Sequence, residues 1–413
     1  MHTSLSVCKR VILVMIFFSG QINAQSNIII GDRPLQLVAA MDESALKKKL
    51  SQCDLTTIDT SALAIGHRGA PRQYPEHTRE GYIAAAKQGA GAVECDVTFT
   101  KDKELVCRHS QCDLHSTTNI LLTPLAKKCS IPFQPAIFAS DGNITKPATA
   151  QCCTSDITLD EFFTLKGKKD AFNSAAVDAD EYQQNSQFGA LVSHRQSIEL
   201  FTQLNVKMTP ELKAAQVPLP YDGMSRQQLA EQLIEEYRTA NVDFADVYPQ
   251  SFEWKDLSYW QEYAPKIAAN IVALDGRYQS ALFSHRSSIT RLPTMQQIKQ
   301  SGINIIAPPL WMLLEAEDNA IVPSSYALAA KDAGLTMIAW TLERSPNLNT
   351  GGGWYYQTLN GDNPSNSYTP IKLHDGKIME VLDVLVNDIG VIGVFSDWPA
   401  TVAFFDHCGK NTN

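Results

Sequence analysis

Beyond residue 24 the chain has no apolar run long enough to cross about 30 Å of hydrocarbon, so the mature protein is expected to be soluble. It also lacks any cluster of lysine and arginine, and 35 basic against 44 acidic residues leave a net charge of −9. A nucleic-acid partner, whose phosphates need neutralising, is therefore not expected. The Cys-x-x-Cys pairs that mark zinc sites are missing. The run Gly351-Gly352-Gly353 is not followed by the Lys-Ser/Thr of a phosphate-cradling loop. Apolar residues at 44% and charged residues at 19% are the ordinary balance of a globular protein.

What is present begins with a secretion signal. Lys9 and Arg10 precede the short apolar run Val11 to Gly20, and Ala24 is a small residue at a cleavage point. Removing residues 1–24 leaves no stable membrane anchor and a secreted or periplasmic protein. Cys8 leaves with the signal. Cys53, Cys95, Cys107, Cys112, Cys129, Cys152, Cys153 and Cys408 remain, an even set that fits disulfides in an oxidising compartment. Eight cysteines allow 105 pairings, and the sequence does not choose among them. Cys95 is expected to be a buried thiol.

The stretch Ala64 to His115 organises the rest. Leu63-Ala64-Ile65-Gly66 reads as a buried strand that stops at Gly69 and Pro71, with His67 and Arg68 at its end. A helix is predicted from His77 to Gly89, and a second strand over Val93 to Phe99. Alternate strand residues share a face, so Glu94 and Asp96 project together and Cys95 points away. A third strand, Leu105 to Arg108, delivers His109 at its end. Strand, helix, strand is a βαβ unit, and functional groups at strand C-terminal ends are the expectation for a parallel α/β barrel.

Later elements keep that rhythm. A helix over Ser197 to Leu204 leads to a strand, Val206 to Leu212, with Glu211 and Lys213 on one face at its end. Further strands are predicted over Asp243 to Phe252, Ile267 to Leu274, Ile303 to Ala307, Leu335 to Leu342 and Val391 to Phe395. The Thr-, Ser-, Pro- and Cys-rich stretch after His109 is irregular, and Thr158 to Phe163 looks like a capped helix start.

His67-Arg68-Gly69, Pro75-Glu76-His77-Thr78, Glu94-Cys95-Asp96 and His109, in one register, resemble the opening of the glycerophosphodiester phosphodiesterase family. Looser likenesses follow at Glu211-Leu212-Lys213, Gln250-Ser251-Phe252, Trp340-Thr341-Leu342 and Ser396-Asp397-Trp398-Pro399, so the resemblance covers roughly residues 62–405. It implies an α/β fold, a TIM (β/α)8 barrel with a cysteine-containing insertion after the histidine that ends the third strand. The barrel would occupy residues 61–408, after an N-terminal extension at 25–60, with the insertion at about 110–190 and a long loop at about 344–372.

The resemblance also implies the site. His67 and His109 would be general acid and base, in an order the sequence leaves open. Glu94, Asp96 and Glu211 would hold a divalent cation, and three carboxylates suit the hard ions Ca²⁺ or Mg²⁺. Arg68 and Lys213 would face the phosphate, Glu76 would orient a metal water or a glycerol hydroxyl, and Trp340 would wall the glycerol carbons. The implied reaction is hydrolysis of a small-molecule glycerophosphodiester to glycerol 3-phosphate and an alcohol. Three positions depart from the family pattern: Ser110 and Glu253 stand where Asp is usual, and Glu343 replaces an Asn, which predicts a further acidic neighbour at the site. Asp397 is expected to cap the helix after it, and His77 and His115 receive no role. A lysophospholipase D or sphingomyelinase D-like lipid phosphodiesterase is the nearest alternative. A non-catalytic barrel that binds a ligand is the alternative from another class. Oligomeric state is not legible.

Overall fold

The structure, a computed structural model, describes residues 28–183, 187–279, 292–361 and 370–410. The signal predicted at 1–24 and part of the loop predicted at about 344–372 lie outside them. Eight parallel strands close into a barrel. They are β1 (Ser61–Gly66), β2 (Ala90–Phe99), β4 (Lys207–Leu212), β5 (Gln250–Ser251), β6 (Val272–Leu274), β7 (Ile305–Ala307), β8 (Thr336–Leu342) and β9 (Gly393–Ser396). Each pairs in parallel with the next, and β9 pairs back onto β1 through Ile65 opposite Phe395. This is the TIM-barrel arrangement the sequence implied.

Period-two patterning explains the packing. In β2, Val93, Cys95 and Val97 join the large core between sheet and helices. Ala92 faces the barrel interior with Ile65, Val272, Ile305, Ile338 and Phe395. Side chains that alternate in this way have only one register in which both layers are filled. Glu94 and Asp96 therefore turn inward at the C-terminal end of β2. The strand predicted over Asp243 to Phe252 is short. A 3-10 turn takes Phe244–Asp246, and only Gln250–Ser251 joins the sheet as β5.

The predicted third strand is present, as the return arm of a hairpin. β3 (Leu105–Cys107) runs antiparallel to β2, with Cys107 opposite Val97, and is not a barrel strand. The connection over residues 100–104 is too short for the crossover that a parallel pairing requires. His109 still arrives at the barrel mouth, but from a hairpin. Cys95 is also not a free thiol: it is bonded to Cys107, its diagonal neighbour across the hairpin. The other bridges are Cys53–Cys408, Cys112–Cys153 and Cys129–Cys152.

The insertion has its own small core around Leu114, Ile120, Phe162 and Tyr182. Two disulfides staple it, which suits a unit too small to be held by apolar burial alone. The predicted helix start is there: Thr158 caps the helix Leu159–Thr164 in a capping box with Glu161. The insertion is tied to the barrel mouth by Lys169, whose Nζ donates to the carbonyls of Pro71 and Arg72 at 2.7 Å each. The N-terminal extension folds as α1 (Arg33–Ala39) and α2 (Ala45–Ser51), which pack against the last helix, Pro399–Cys408. Among the described residues no helix is long and apolar enough to cross a membrane.

Candidate active site

A pocket of about 410 Å³ opens at the C-terminal ends of the barrel strands, lined by His67, Arg68, Glu94, Asp96, His109, Glu211, Lys213 and Trp340 among others. Of the nine residues singled out in the sequence, only Glu76 stands behind this lining.

Local backbone geometry sets the first of them. The chain turns sharply after β1, with Arg68 at φ 53° and Gly69 at φ 96°. Gly69 also lies so close to the next helix, α3 (Arg79–Lys87), that a Cβ there would meet the carbonyl carbon of Gly81 at 2.8 Å. Only glycine fits both conditions. The turn aims the Arg68 amide at Glu94 Oε2 (3.0 Å) and sends its guanidinium to Glu76 (3.0 Å), with Asp96 at 3.6 Å. Burial opposes the Arg68 charge, but Glu76, Asp96 and Glu94 outweigh it and raise its pKa.

Register brings the carboxylates together. Glu211 on β4 is the cross-strand partner of Asp96 on β2, and Thr209 of Glu94. Ligand oxygens of Glu94, Asp96 and Glu211 all lie within 4.8 Å of one another. Burial pushes the Glu94 carboxyl well above the usual range, with Asp96 and Glu211 adding repulsion. Burial likewise moves Glu211 up to about 7, against the pull of Lys213, whose Nζ is 2.6 Å away. Asp96 is held well below the usual range: Lys213 and His77 overcome its burial. Asp96 Oδ1 is buried without a hydrogen-bond partner among the described residues. Three crowded acids with one orphaned oxygen fit a hard divalent cation, whose charge would relieve the repulsion.

Both histidines reach the pocket. His67 Nδ1 is 2.6 Å from Asp397 Oδ1, which leaves Nε2 facing inward, 3.9 Å from Glu94. Burial, then the Arg68 charge, lowers the His67 pKa to about 4. Burial and the charges of Arg68 and Lys213 hold His109 well below its ordinary value. Trp340 is half-buried and donates its indole N–H to the Ala307 carbonyl at 2.8 Å, so its ring is fixed along the wall.

Four groups escaped the sequence reading. Asp397 does not cap the final helix, which has no side-chain cap; it binds His67 and, at 3.2 Å, Arg344. His77 is fully buried, and its Nε2 lies 2.9 Å from Asp96 Oδ2 while Tyr82 engages Nδ1. Gln250 donates to Glu94 Oε1 at 2.9 Å. Arg344 lines the pocket and approaches Glu76 at 3.7 Å. Glu343, expected as an extra acid at the site, turns away instead. It is buried among Arg33, Arg72 and Thr401, so the acidic charge is spent in a structural ion cluster with the N-terminal extension. The Pro75-Glu76-His77-Thr78, Gln250-Ser251-Phe252 and Ser396-Asp397-Trp398-Pro399 likenesses held His77, Gln250 and Asp397 without giving them a role at the site; no local signal marks Arg344.

Residues 67–401 match the Glycerophosphoryl diester phosphodiesterase family. The chain belongs to that family. With it comes membership of the phosphoric diester hydrolases. An "Extracellular protein" of Arthroderma benhamiae is 38% identical over 254 residues, which cover 58% of this chain and 98% of that protein. The glycerophosphodiester phosphodiesterase of Bacillus subtilis is 42% identical over 57 residues, 14% of this chain and 19% of its own length. A crystal structure from Silicibacter pomeroyi that carries the family's name superposes with a TM-score of 0.53 at 16% identity, over 86% of this chain and 97% of that one, a likeness of fold.

Proposed function

We propose that the protein hydrolyses glycerophosphodiesters to glycerol 3-phosphate and an alcohol, with a divalent cation, Ca²⁺ or Mg²⁺, held by Glu94, Asp96 and Glu211. The observation that carries this reading is the meeting of three acids, two neutral histidines and three cations in one pocket at the barrel mouth. When bound, the cation would supply charge for the phosphoryl oxygens and acidity to a coordinated hydroxyl.

The chain's own groups supply the remainder. A phosphodiester repels nucleophiles through its anionic oxygens, and Arg68, Lys213 and Arg344 offset that charge at fixed positions, which costs no reorganisation during reaction. Glu76 keeps Arg68 in place and is itself held ionised by Arg68 and Arg344 despite burial. His67 and His109 are neutral near pH 7, so each can accept a proton at an inward nitrogen. Asp397 fixes the proton of His67 on Nδ1 and leaves Nε2 as the acceptor, so His67 is the base in this reading. His109, which shares the pocket, would take a proton from solvent and pass it to the leaving alcohol. Trp340 walls the glycerol carbons.

Four disulfides support a secreted or periplasmic location with residues 1–24 removed, which N-terminal sequencing of the exported protein would check. The activity is tested by release of glycerol 3-phosphate from glycerophosphocholine with Ca²⁺, with Mg²⁺ and with chelator. Release that needs a cation and falls at least about a hundredfold in His67→Ala and in Glu94→Ala is expected. Release unaffected by chelator would refute the metal assignment, and no release from any glycerophosphodiester would favour a binding role.

A further inference from the structure

Next to the acids, the pocket wall is built of rings. Phe252, Tyr278, Trp340 and Tyr355 line it, and Leu274 is their aliphatic companion. Trp354 carries the wall to the surface. Its indole stacks on Trp340 (centroids 5.8 Å, 28°) and meets Tyr355 at 5.1 Å and Tyr278 at 5.4 Å edge to face, yet it stays 41% exposed.

The sequence constrains this ring closely. Gly351, Gly352 and Gly353 have φ of 97°, 69° and 59°, and a Cβ on Gly352 would meet the Tyr356 ring at 2.8 Å. Three consecutive left-handed residues are open only to glycine without strain, so the turn that delivers Trp354 is specified residue by residue. Neither fold nor core requires a half-exposed tryptophan there.

The composition of the wall selects its ligand. An acyl chain is matched by aliphatic grooves, whereas this wall is aromatic and its pocket, at about 410 Å³, is the size of a head group. Ring faces attract a poorly hydrated cation, and quaternary ammonium groups gain most because they carry charge without hydrogen-bond donors. We propose that the rings of Phe252, Tyr278, Trp354 and Tyr355, next to the Trp340 assigned to the glycerol carbons, hold a quaternary ammonium group on the alcohol side of the substrate, so that trimethylammonium esters are preferred. This rests on the phosphodiesterase reading above.

The test compares glycerophosphocholine with its 3,3-dimethylbutyl analogue, a carbon isostere of equal shape and no charge, on the full-length mature protein. The choline ester is expected to have a kcat/KM about tenfold higher, and Trp354→Leu to cut that ratio at least about fivefold, with Trp354→Phe between the two. A ratio near one in the unaltered protein, or an unchanged ratio in Trp354→Leu, would overturn the proposal. Tetramethylammonium titrated against indole fluorescence keeps the two readings separate. If neither ester is hydrolysed, the phosphodiesterase reading falls, and saturable quenching lost in Trp354→Leu still supports the wall. Quenching without saturation overturns the wall even where both esters are hydrolysed.

Discussion

Each charged side chain at the barrel mouth is held by another, so single substitutions act beyond their own contacts. Arg344 touches Asp397, which orients His67, and approaches Glu76, which holds Arg68. Replacing it by Gln removes one charge-assisted bond and a pocket-facing cation. A loss of about ten- to a hundredfold in kcat/KM on glycerophosphocholine is expected, with Arg344→Lys recovering only part because the ammonium lacks the fork. Steady-state kinetics with bound cation check this. Asp113 gives a pH prediction away from the acids. Burial raises its pKa to about 6 from 3.8, against the pull of Arg108. A folded pKa above the unfolded one contributes stability that is complete below about 4 and is lost as pH rises through 6. Stability of the protein minus that of Asp113→Asn should therefore fall by on the order of 3 kcal/mol between those limits, measured by urea unfolding.

The acids and His67 were legible at this scale because their spacing lies within one βαβ unit and its neighbour. Asp397 was not. It is 330 residues from His67 and meets it only because β9 closes onto β1. The same closure brings Arg344 to Glu76, whereas Gln250 reaches Glu94 across the neighbouring strands β4 and β5. A side chain's direction at a strand end, which separates the outward Glu343 from the inward Arg344, cannot be read from composition.

At the scale of elements, the hairpin of β2 and β3 carries two of the three acids and leads into His109. The strands, helices and capping boxes were legible from apolar period and Ser/Thr caps. The sequence reading gave β3 no direction, although the five-residue connection allows only an antiparallel return. Without that direction the Cys95–Cys107 bond stayed hidden, since a parallel neighbour would not place Cys107 beside Cys95. The bridge closes a loop of 12 residues and limits how far the unfolded hairpin can open. Replacing both cysteines by Ala should cost about 2–3 kcal/mol in denaturant unfolding. It should also lower kcat more than KM is raised, because His109 sits two residues beyond the bridge.

For the whole molecule, barrel class followed from the repeated strand–helix alternation, whereas its attachments did not. The N-terminal extension carries no motif in the sequence, but Arg33 is one of the partners that keep Glu343 buried and turned from the pocket. Arg33→Ala leaves that buried carboxylate to Arg72 and Thr401. A loss of about 1.5–3 kcal/mol is expected by denaturant unfolding, and Arg33→Ala combined with Glu343→Gln should restore most of it.

The Cys53–Cys408 bond joins positions 355 residues apart, on either side of the whole barrel. Between those two cysteines the polypeptide is a covalent ring. A protease that cuts one exposed loop opens the ring but releases no fragment, and the two new ends remain tethered through the sulfur link. For an enzyme that meets a protease, a first nick is then a change of connectivity and not a loss of parts.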